Sequence, residues 1–179
     1  MQSDCSFRVM SLEFRLRDFF RPPERILREA GVRSGMTVLD FGCGPGGFSL
    51  AAAKLVGPDG LVYAVDSHPL AVKSAQRAAD RRGFGNIRTI LGGSVANLPV
   101  GSVDMTLLYD VLHDLPEPGL ILGEVHRVLK PKGVLSVSDH HMKKDLLLSM
   151  ITGGSLFLPA GGDRRTSQFK KNETRETVA

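Results

Sequence analysis

A run of glycines follows the first buried-looking apolar segment of the chain, in the stretch VLDFGCGPGGFS at residues 38–49. Gly42, Gly44 and Gly47 match the spacing G-x-G-x-x-G between a predicted strand and a predicted helix. A plain turn needs one glycine, whereas a glycine-rich loop lets the backbone bend tightly and approach a bound molecule. The run therefore predicts a strand-to-helix loop that holds a ligand with a nucleoside part.

Apolar runs bounded by glycines alternate with segments of helical composition along most of the chain. A parallel sheet buried on both faces is built from such runs, and helices between them begin at prolines or end at glycines. The alternation predicts an α/β fold, a doubly wound and mostly parallel sheet with right-handed crossovers. Five strands are predicted, in MTVLDF, GLVYAVD, NIRTILG, VDMTLLYD and GVLSVSD.

The last third of the sequence departs from this alternation. A helix is predicted in PGLILGEVHRVLKPKG until Pro131 stops it, and another in KKDLLLSMITGG. Two short strands, SLFLP and RTSQFKK, then flank a loop at residues 160–163 that suits a hairpin. The sheet is therefore expected to end with an antiparallel strand.

The length of 179 residues favours one domain with its own core, which we place at residues 1–172. Within and beyond it we distinguish an N-terminal segment at 1–21 and a frayed tail at 172–179. No apolar run approaches the roughly 20 residues that span a bilayer, and the N-terminus lacks the pattern of a signal peptide. With two cysteines, a disulfide framework is also excluded. A cytoplasmic protein is the expectation.

The formal net charge of +4 raises the question of a nucleic-acid partner. The basic residues are spread along the chain, and aromatic residues do not alternate with them, so nucleic acid is not the favoured partner although it is not excluded. A small-molecule substrate is expected instead. A membrane partner is not expected, and a homodimer is left open.

Two acidic residues beside the glycine run bear on the identity of the ligand. Asp66 ends the second strand about 20 residues after the run, where a dinucleotide-binding site has the acid that binds a ribose. By that test the ligand is NAD. Asp40, however, lies two residues before Gly42, where its negative charge would repel a pyrophosphate and favour a ligand with an ammonium group.

The sequence resembles the class I S-adenosylmethionine-dependent methyltransferases, closest to the methyltransferase domain group that is similar to ubiquinone and menaquinone biosynthesis enzymes. The resemblance covers roughly residues 22–141 and implies a Rossmann-like, seven-stranded sheet whose last strand is antiparallel. It also implies S-adenosylmethionine as cofactor and S-adenosylhomocysteine as product. It is carried by the segments VLDFGCGPGGFS, YAVDSHP, LPVGSVDMTLLYDVLHDLP and HRVLKPKGVLSVSDHH.

The resemblance also implies which residues surround the cofactor. Asp40 would lie near its methionine part, Asp66 near the ribose and His68 near the adenine. Ser94 stands where the family commonly has an aspartate that contacts the adenine amino group, so a serine oxygen or the amide of Val95 would have to serve there. The full set of cofactor-binding residues expected is Asp40, Gly42, Cys43, Gly44, Gly46, Asp66, Ser67, His68, Ser94, Val95 and Tyr109.

Methyl transfer needs an acid or base only when the acceptor loses a proton. Side chains for this role should follow the carboxyl ends of strands, where ligands bind in open α/β sheets. Asp110 and His113 follow the fourth strand and His140 follows the fifth, so these three are the candidate catalytic residues. Loop capping, packing and surface exposure explain them at least as well.

Neither the cysteines nor the histidines have the spacing of a metal site, and no metal is expected. Arsenic methylation, an activity seen near this family, would need several cysteines. The favoured function is therefore methyl transfer to a small molecule that the sequence does not identify. Two alternatives remain open, an NAD(P)-dependent oxidoreductase and a non-catalytic protein that binds S-adenosylmethionine.

Overall fold

A computed structural model describes residues 22–163 and 165–174 of the chain. The N-terminal segment 1–21 and residues 175–179 of the expected tail lie outside the described residues. The chain divides into two compact units, one that ends at Gly93 and one that begins at Ser94. Within the described part, no helix is long and apolar enough to cross a membrane.

The fold class expected from the sequence is confirmed. The strands form a seven-stranded, mostly parallel sheet whose C-terminal strands are antiparallel, and helices connect the strands as in other Rossmann-like folds. The core consists almost entirely of aliphatic side chains from the strands and the inner faces of the helices, which is typical of a sheet covered on both sides.

The first unit is a three-stranded parallel sheet in the order β3-β2-β1. Its strands are short, β1 and β2 are mostly buried and β3 is more exposed, and each crossover contains a helix, as parallel pairing requires. The connecting helices begin at a proline or a glycine and end before a glycine. The elements are α1 (Pro23–Ala30), β1 (Thr37–Phe41), α2 (Gly47–Val56), β2 (Leu61–Asp66), α3 (Pro69–Arg82) and β3 (Ile87–Leu91).

The second unit pairs β4 with β5 in parallel, while β7 runs antiparallel to both β5 and β6. The expected antiparallel C-terminal hairpin is therefore present. The elements are β4 (Val103–Tyr109), a 3-10 helix (Leu112–Asp114), α4 (Pro118–Val128), β5 (Leu129–Ser138), α5 (Lys144–Gly153), β6 (Phe157–Gly162) and β7 (Ser167–Lys171).

The boundary between α4 and β5 lies earlier than the sequence predicted. We expected the helix to continue to Pro131 and the strand to begin at Gly133, but the helix ends at Val128 and Leu129 already pairs with Val103. Pro131 restricts only the residue directly before it, so the start of the strand at Leu129 follows from its pairing with β4.

The hairpin loop was also misplaced. Residues 160–162 were expected in the loop, yet β6 continues through Gly162. Gly161 and Gly162 have φ angles of +125° and +128°, and the pairing register shifts between Pro159 and Gly161. Glycine allows this irregular strand, and the turn forms after it, where Asp163 accepts hydrogen bonds from two backbone amides.

Candidate functional site

The glycine loop between β1 and α2 folds its backbone amides inward. Residues 42, 43, 44 and 46 each donate their backbone N–H to an acceptor within the first unit. Residue 45 is proline and has no N–H. The Gly42 and Cys43 amides donate to Val65 O at 2.8 and 3.0 Å, the Gly44 amide donates to Asp66 Oδ2 at 2.9 Å, and the Gly46 amide donates to Cys43 O at 3.0 Å.

Three glycines of this loop have left-handed backbone conformations, with φ angles of +80° at Gly42, +52° at Gly44 and +92° at Gly46. Side chains other than glycine rarely adopt these angles. Gly46 is restricted further because a Cβ atom there would lie 2.9 Å from the Cβ of Ala75 on α3. The glycines thus serve both the bend of the loop and its close contact with a helix.

Asp40 is a buried carboxylate at the end of β1. It is 2% exposed, and its Oδ2 accepts a hydrogen bond from the hydroxyl of Ser49 on α2. Burial raises the pKa of Asp40 to about 6; the bond from Ser49 lowers this pKa and the negative charge of Asp66 raises it. Sequence reasoning missed Ser49, which lies nine residues away across the loop.

Asp66 is half-buried at the end of β2, and both of its oxygens bind backbone amides. Oδ2 accepts from Gly44 and Oδ1 accepts from His68 at 2.8 Å, so this carboxylate joins the two strand-to-helix loops of the first unit. Ser67 is exposed between them. His68 begins α3, where its Nδ1 accepts from the amide of Leu70 at 3.2 Å.

Cys43 is buried in the same loop. Burial raises the pKa of its thiol above the ordinary value, and the charges of Asp40 and Asp66 add to this effect. A thiol held in its neutral form is a poor nucleophile and a poor metal ligand. Its place in the loop is explained by its small size.

In the second unit, the side chain of Glu124 on α4 binds Ser94 and Val95. The sequence analysis did not identify Glu124. The Ser94 hydroxyl lies 2.8 and 2.9 Å from the two oxygens of Glu124, and the Val95 amide donates to Glu124 Oε2 at 2.6 Å. One turn further along α4, Arg127 donates to the carbonyls of Val95, Ala96 and Leu98. Helix α4 thus fixes this loop through one acid and one base.

Tyr109, the last residue of β4, is buried. Its hydroxyl lies 2.8 Å from the hydroxyl of Ser136 on the neighbouring strand β5. The bond ties the two strands together close to the ends from which the candidate catalytic residues project.

The candidate catalytic residues form two Asp–His pairs that cross between the loops after β4 and β5. Asp110 and Asp139 directly follow the paired strand ends. His113 Nδ1 lies 2.8 Å from Asp139 Oδ2, and His140 Nδ1 lies 2.6 Å from Asp110 Oδ1. Each aspartate of one loop therefore binds the histidine of the other.

Each pair is reinforced by the backbone. The amide of His113 donates to Asp139 at 3.1 Å, and the amide of His140 donates to Asp110 at the same distance. Asp110 also has a left-handed backbone, with φ of +52°, which is uncommon outside glycine and costs free energy. The position of the Asp110 carboxylate is thus associated with local backbone strain.

The two carboxylates are more buried than the two rings. The side chain of Asp139 is 0% exposed and that of Asp110 is 13% exposed, against 26% for His113 and 61% for His140. Burial acts to raise the pKa of Asp139, but the hydrogen bonds from His113 and from the amide of His141 outweigh it and leave this pKa below the usual value. Asp139 is therefore ionised at neutral pH.

A third ring, that of His141, joins the two pairs. Its centroid lies 4.4 Å from the ring of His113 and 3.9 Å from the ring of His140, with tilted planes. We call the five residues Asp110, His113, Asp139, His140 and His141 the histidine cluster. Within residues 22–163 and 165–174, no three acidic, histidine or cysteine side chains are grouped so that they could hold a metal ion.

Comparison with known proteins identifies the class. The methyltransferase domain family matches residues 32–174, so most of the chain is covered and the chain belongs to this family. The resemblance to class I S-adenosylmethionine-dependent methyltransferases that the sequence motifs indicated is confirmed.

The chain is 33% identical over 112 residues to a demethylmenaquinone methyltransferase of Geobacillus kaustophilus, covering 62% of this chain and 48% of that protein. It is 35% identical over 112 residues to an arsenite methyltransferase of Halobacterium salinarum, with 62% and 28% covered. The chain thus spans about half or less of these curated relatives. Among solved structures, an S-adenosylmethionine-dependent methyltransferase from Aquifex aeolicus has a TM-score of 0.73 and 26% identity, with 84% and 88% covered.

Proposed function

We propose that this protein is an S-adenosylmethionine-dependent methyltransferase that acts on a small molecule. Membership of the methyltransferase domain family supports the proposal, as does the likeness to the Aquifex aeolicus enzyme. The local geometry of the glycine loop supports it independently, because that geometry separates this cofactor from a dinucleotide.

The main observation in support of the proposal is that the backbone amides of the glycine loop already donate hydrogen bonds within the protein. A glycine-rich loop that binds a pyrophosphate offers its amides to the phosphate oxygens. Here the amides of residues 42–44 and 46 bind Val65, Asp66 and Cys43, and residue 45 is Pro45, which has no N–H. The loop therefore has no donor among these residues for a phosphate, which disfavours the oxidoreductase alternative.

The charges of the first unit fit a cationic ligand. Asp40 and Asp66 supply negative charge on either side of the loop, and the pKa of Asp40 is influenced by burial, by its hydrogen bonds with Ser49 and by the charge of Asp66. An ammonium and a sulfonium group would each be favoured there. We propose that Asp66 also accepts hydrogen bonds from ribose hydroxyls, because a carboxylate oxygen that binds one amide retains another lone pair.

When bound, S-adenosylmethionine supplies a methyl group on a positively charged sulfur, ready for in-line displacement. The protein then has to orient the acceptor, exclude water and, where necessary, remove a proton. We propose that His113 and His140 perform the last task, with Asp110 beside His140.

We propose a small-molecule acceptor and a cytoplasmic location. The two named relatives act, by their names, on demethylmenaquinone and arsenite, which supports an acceptor of small size. Arsenite itself is not favoured, because Cys43 is buried and carries a thiol with a raised pKa, whereas thiolates would be needed to bind arsenic. Nucleic acid is not part of the proposal.

The test is turnover. The protein is incubated with S-adenosylmethionine and a panel of phenols, thiols, amines and arsenite, and S-adenosylhomocysteine is quantified by mass spectrometry. We expect acceptor-dependent product, and at a subsaturating cofactor concentration we expect Asp66→Ala to lower its rate of formation about ten-fold. Binding of the cofactor without turnover on a broad panel would support the non-catalytic alternative instead.

A further inference from the structure

The crossed Asp–His pairs determine where the proton lies on each imidazole. An ionised carboxylate only accepts hydrogen bonds, so the ring nitrogen that faces it must carry the hydrogen. In both His113 and His140 that nitrogen is Nδ1. In the neutral ring the lone pair is then on Nε2, which is the tautomer that a histidine needs in order to act as a base through Nε2.

The rings of His68 and His126 have the opposite arrangement. His68 Nδ1 accepts from the Leu70 amide, and His126 Nε2 lies 3.2 Å from the carbonyl of Asn172. Because a carbonyl only accepts and an amide only donates, both rings carry their proton on Nε2. The tautomer of His113 and His140 is thus a property of the cluster and not of the chain as a whole.

We propose that the histidine cluster is a paired-base site, in which Asp139 and Asp110 are positioning residues that fix the Nδ1–H tautomers of His113 and His140 across the two loops. The proposal rests on the proposed function for its reaction. It assigns a new role to Asp139, and it changes the role of Asp110 from a candidate acid or base to a residue that orients His140.

The chemistry of the site indicates an acceptor that has a proton to lose, and we assign it a weakly acidic hydroxyl group, such as that of a phenol. The proton moves from the hydroxyl to Nε2 of one imidazole, and the oxygen electron pair so released forms the bond to the methyl carbon. The carbon–sulfur electron pair remains on sulfur, and the imidazolium returns its proton to solvent. A thiol that is already ionised would need no such base.

Several charged or titratable groups surround these two rings. His113 faces Asp139 at Nδ1, Asp114 Oδ2 at 3.6 Å from Nε2, and the ring of His141. His140 faces Asp110 and the ring of His141.

A purely structural explanation is that the pairs only hold the two loops together. The two explanations differ in what the aspartates do to the rings, because a loop clamp works in either tautomer. The tautomer is therefore the quantity to measure, and it needs neither cofactor nor acceptor.

The experiment records two-bond ¹H–¹⁵N correlation spectra of the full chain, with uniform ¹⁵N labelling, at a pH where imidazoles are neutral. We expect His113 and His140 as Nδ1–H tautomers and His68 and His126 as Nε2–H tautomers. The cluster as proposed would be overturned if His113 and His140 were Nε2–H or an even mixture.

The crossed pairing is tested by Asp139→Asn and Asp110→Asn, with Asp80→Asn on the exposed face of α3 as a matched control. Asparagine keeps the shape of the side chain, and it tolerates the left-handed backbone at position 110. Loss of the carboxylate should change the ring ¹⁵N chemical shifts of His113 in Asp139→Asn and those of His140 in Asp110→Asn, while Asp80→Asn should change neither. A shift of the neighbour in sequence instead, or of neither ring, would contradict the pairing.

A kinetic readout links the cluster to the reaction. With a hydroxylated acceptor found in the turnover panel, Asp139→Asn should lower kcat about ten-fold or more and leave the calorimetric affinity for S-adenosylhomocysteine unchanged. Turnover restricted to thiols or amines would overturn the assigned acceptor class. If the cofactor does not bind at all, the proposed function is wrong. The tautomers of His113 and His140 are measured without cofactor, so that result tests the arrangement of the cluster separately.

Discussion

Asp40 and Asp66 end neighbouring strands, yet their surroundings differ. Asp66 binds two backbone amides and is half-buried, whereas Asp40 is buried and accepts a hydrogen bond from the Ser49 hydroxyl. A carboxylate that binds amides holds the loops, while a desolvated one retains an electric field that a ligand can neutralise. The difference leads to opposite expectations for the two variants.

Asp40→Asn should stabilise the protein without ligand at pH 7.5 and weaken the binding of S-adenosylmethionine. The folded-state pKa of about 6 lies above the reference value of 3.8, so ionisation of Asp40 opposes folding above pH 6. Removing the charge should therefore raise the free energy of unfolding by up to about 3 kcal/mol, since asparagine can still accept from Ser49.

The gain has a definite pH dependence. It should shrink between pH 6 and pH 4 and vanish below pH 4, where Asp40 is protonated in both the folded and the unfolded chain. Urea denaturation of both proteins across this range measures it, and adenosine, which has no ammonium group, is the control ligand. Lower stability of the variant at pH 7.5, or equal loss of affinity for both ligands, would refute the role given to Asp40.

Asp66→Ala should weaken the binding of S-adenosylhomocysteine by about ten-fold or more, because it removes a charged acceptor and frees the amides of Gly44 and His68. Ser94→Ala should weaken it less than about three-fold, since Glu124 keeps its bond to the Val95 amide. Isothermal titration calorimetry on both variants provides the comparison. Equal losses would show that Asp66 has no special part in cofactor binding.

At the level of single residues, the sequence predicted positions better than partners. Asp40, Asp66, Asp110 and His113 were all identified from their places after strands. The side chains that bind Asp40 and Asp110 lie far away in the sequence, with Ser49 nine residues from Asp40 and His140 30 residues from Asp110. Such contacts depend on strand register and loop conformation, which periodicity in the sequence does not encode.

At the level of secondary-structure elements, the glycine loop is held both by its own backbone angles and by its contact with α3. Gly46→Ala should lower the free energy of unfolding by about 2–3 kcal/mol, because alanine would have an unfavourable φ and a Cβ 2.9 Å from that of Ala75.

Gly31 provides a matched control. It ends α1 with a φ of +96°, close to the +92° of Gly46, but an added Cβ there meets nothing within 4 Å. Gly31→Ala should therefore cost only the backbone term, about 1 kcal/mol. Urea unfolding of both variants separates the two contributions, and equal losses would mean that close approach to α3 is unimportant.

Most helices and strands were predictable because buried apolar runs, prolines and glycines mark them directly. The two misplaced boundaries, at Leu129 and Gly162, have a common cause. In each, cross-strand pairing extends a strand through residues that, by themselves, favour a turn or a helix. Tertiary hydrogen bonds override local preference at such positions, so local sequence reasoning cannot find them.

At the level of the whole molecule, each unit carries one part of the proposed chemistry. The first unit has the glycine loop with its two carboxylates, and the second has the histidine cluster. The family match covers both units, from residue 32 to residue 174. The fold class followed from the alternation of elements, whereas the crossed Asp–His pairs depend on the parallel pairing of β4 and β5, which brings two loops from distant sequence to the same edge.

The central claim is that the glycine loop binds S-adenosylmethionine and not a dinucleotide. The most direct test is isothermal titration calorimetry of the full chain with S-adenosylhomocysteine and, separately, with NADH. Our account predicts one-site binding of S-adenosylhomocysteine, with an increase in melting temperature because the ligand binds only the folded state, and no heat and no shift with NADH. Binding of NADH with no response to S-adenosylhomocysteine would contradict it.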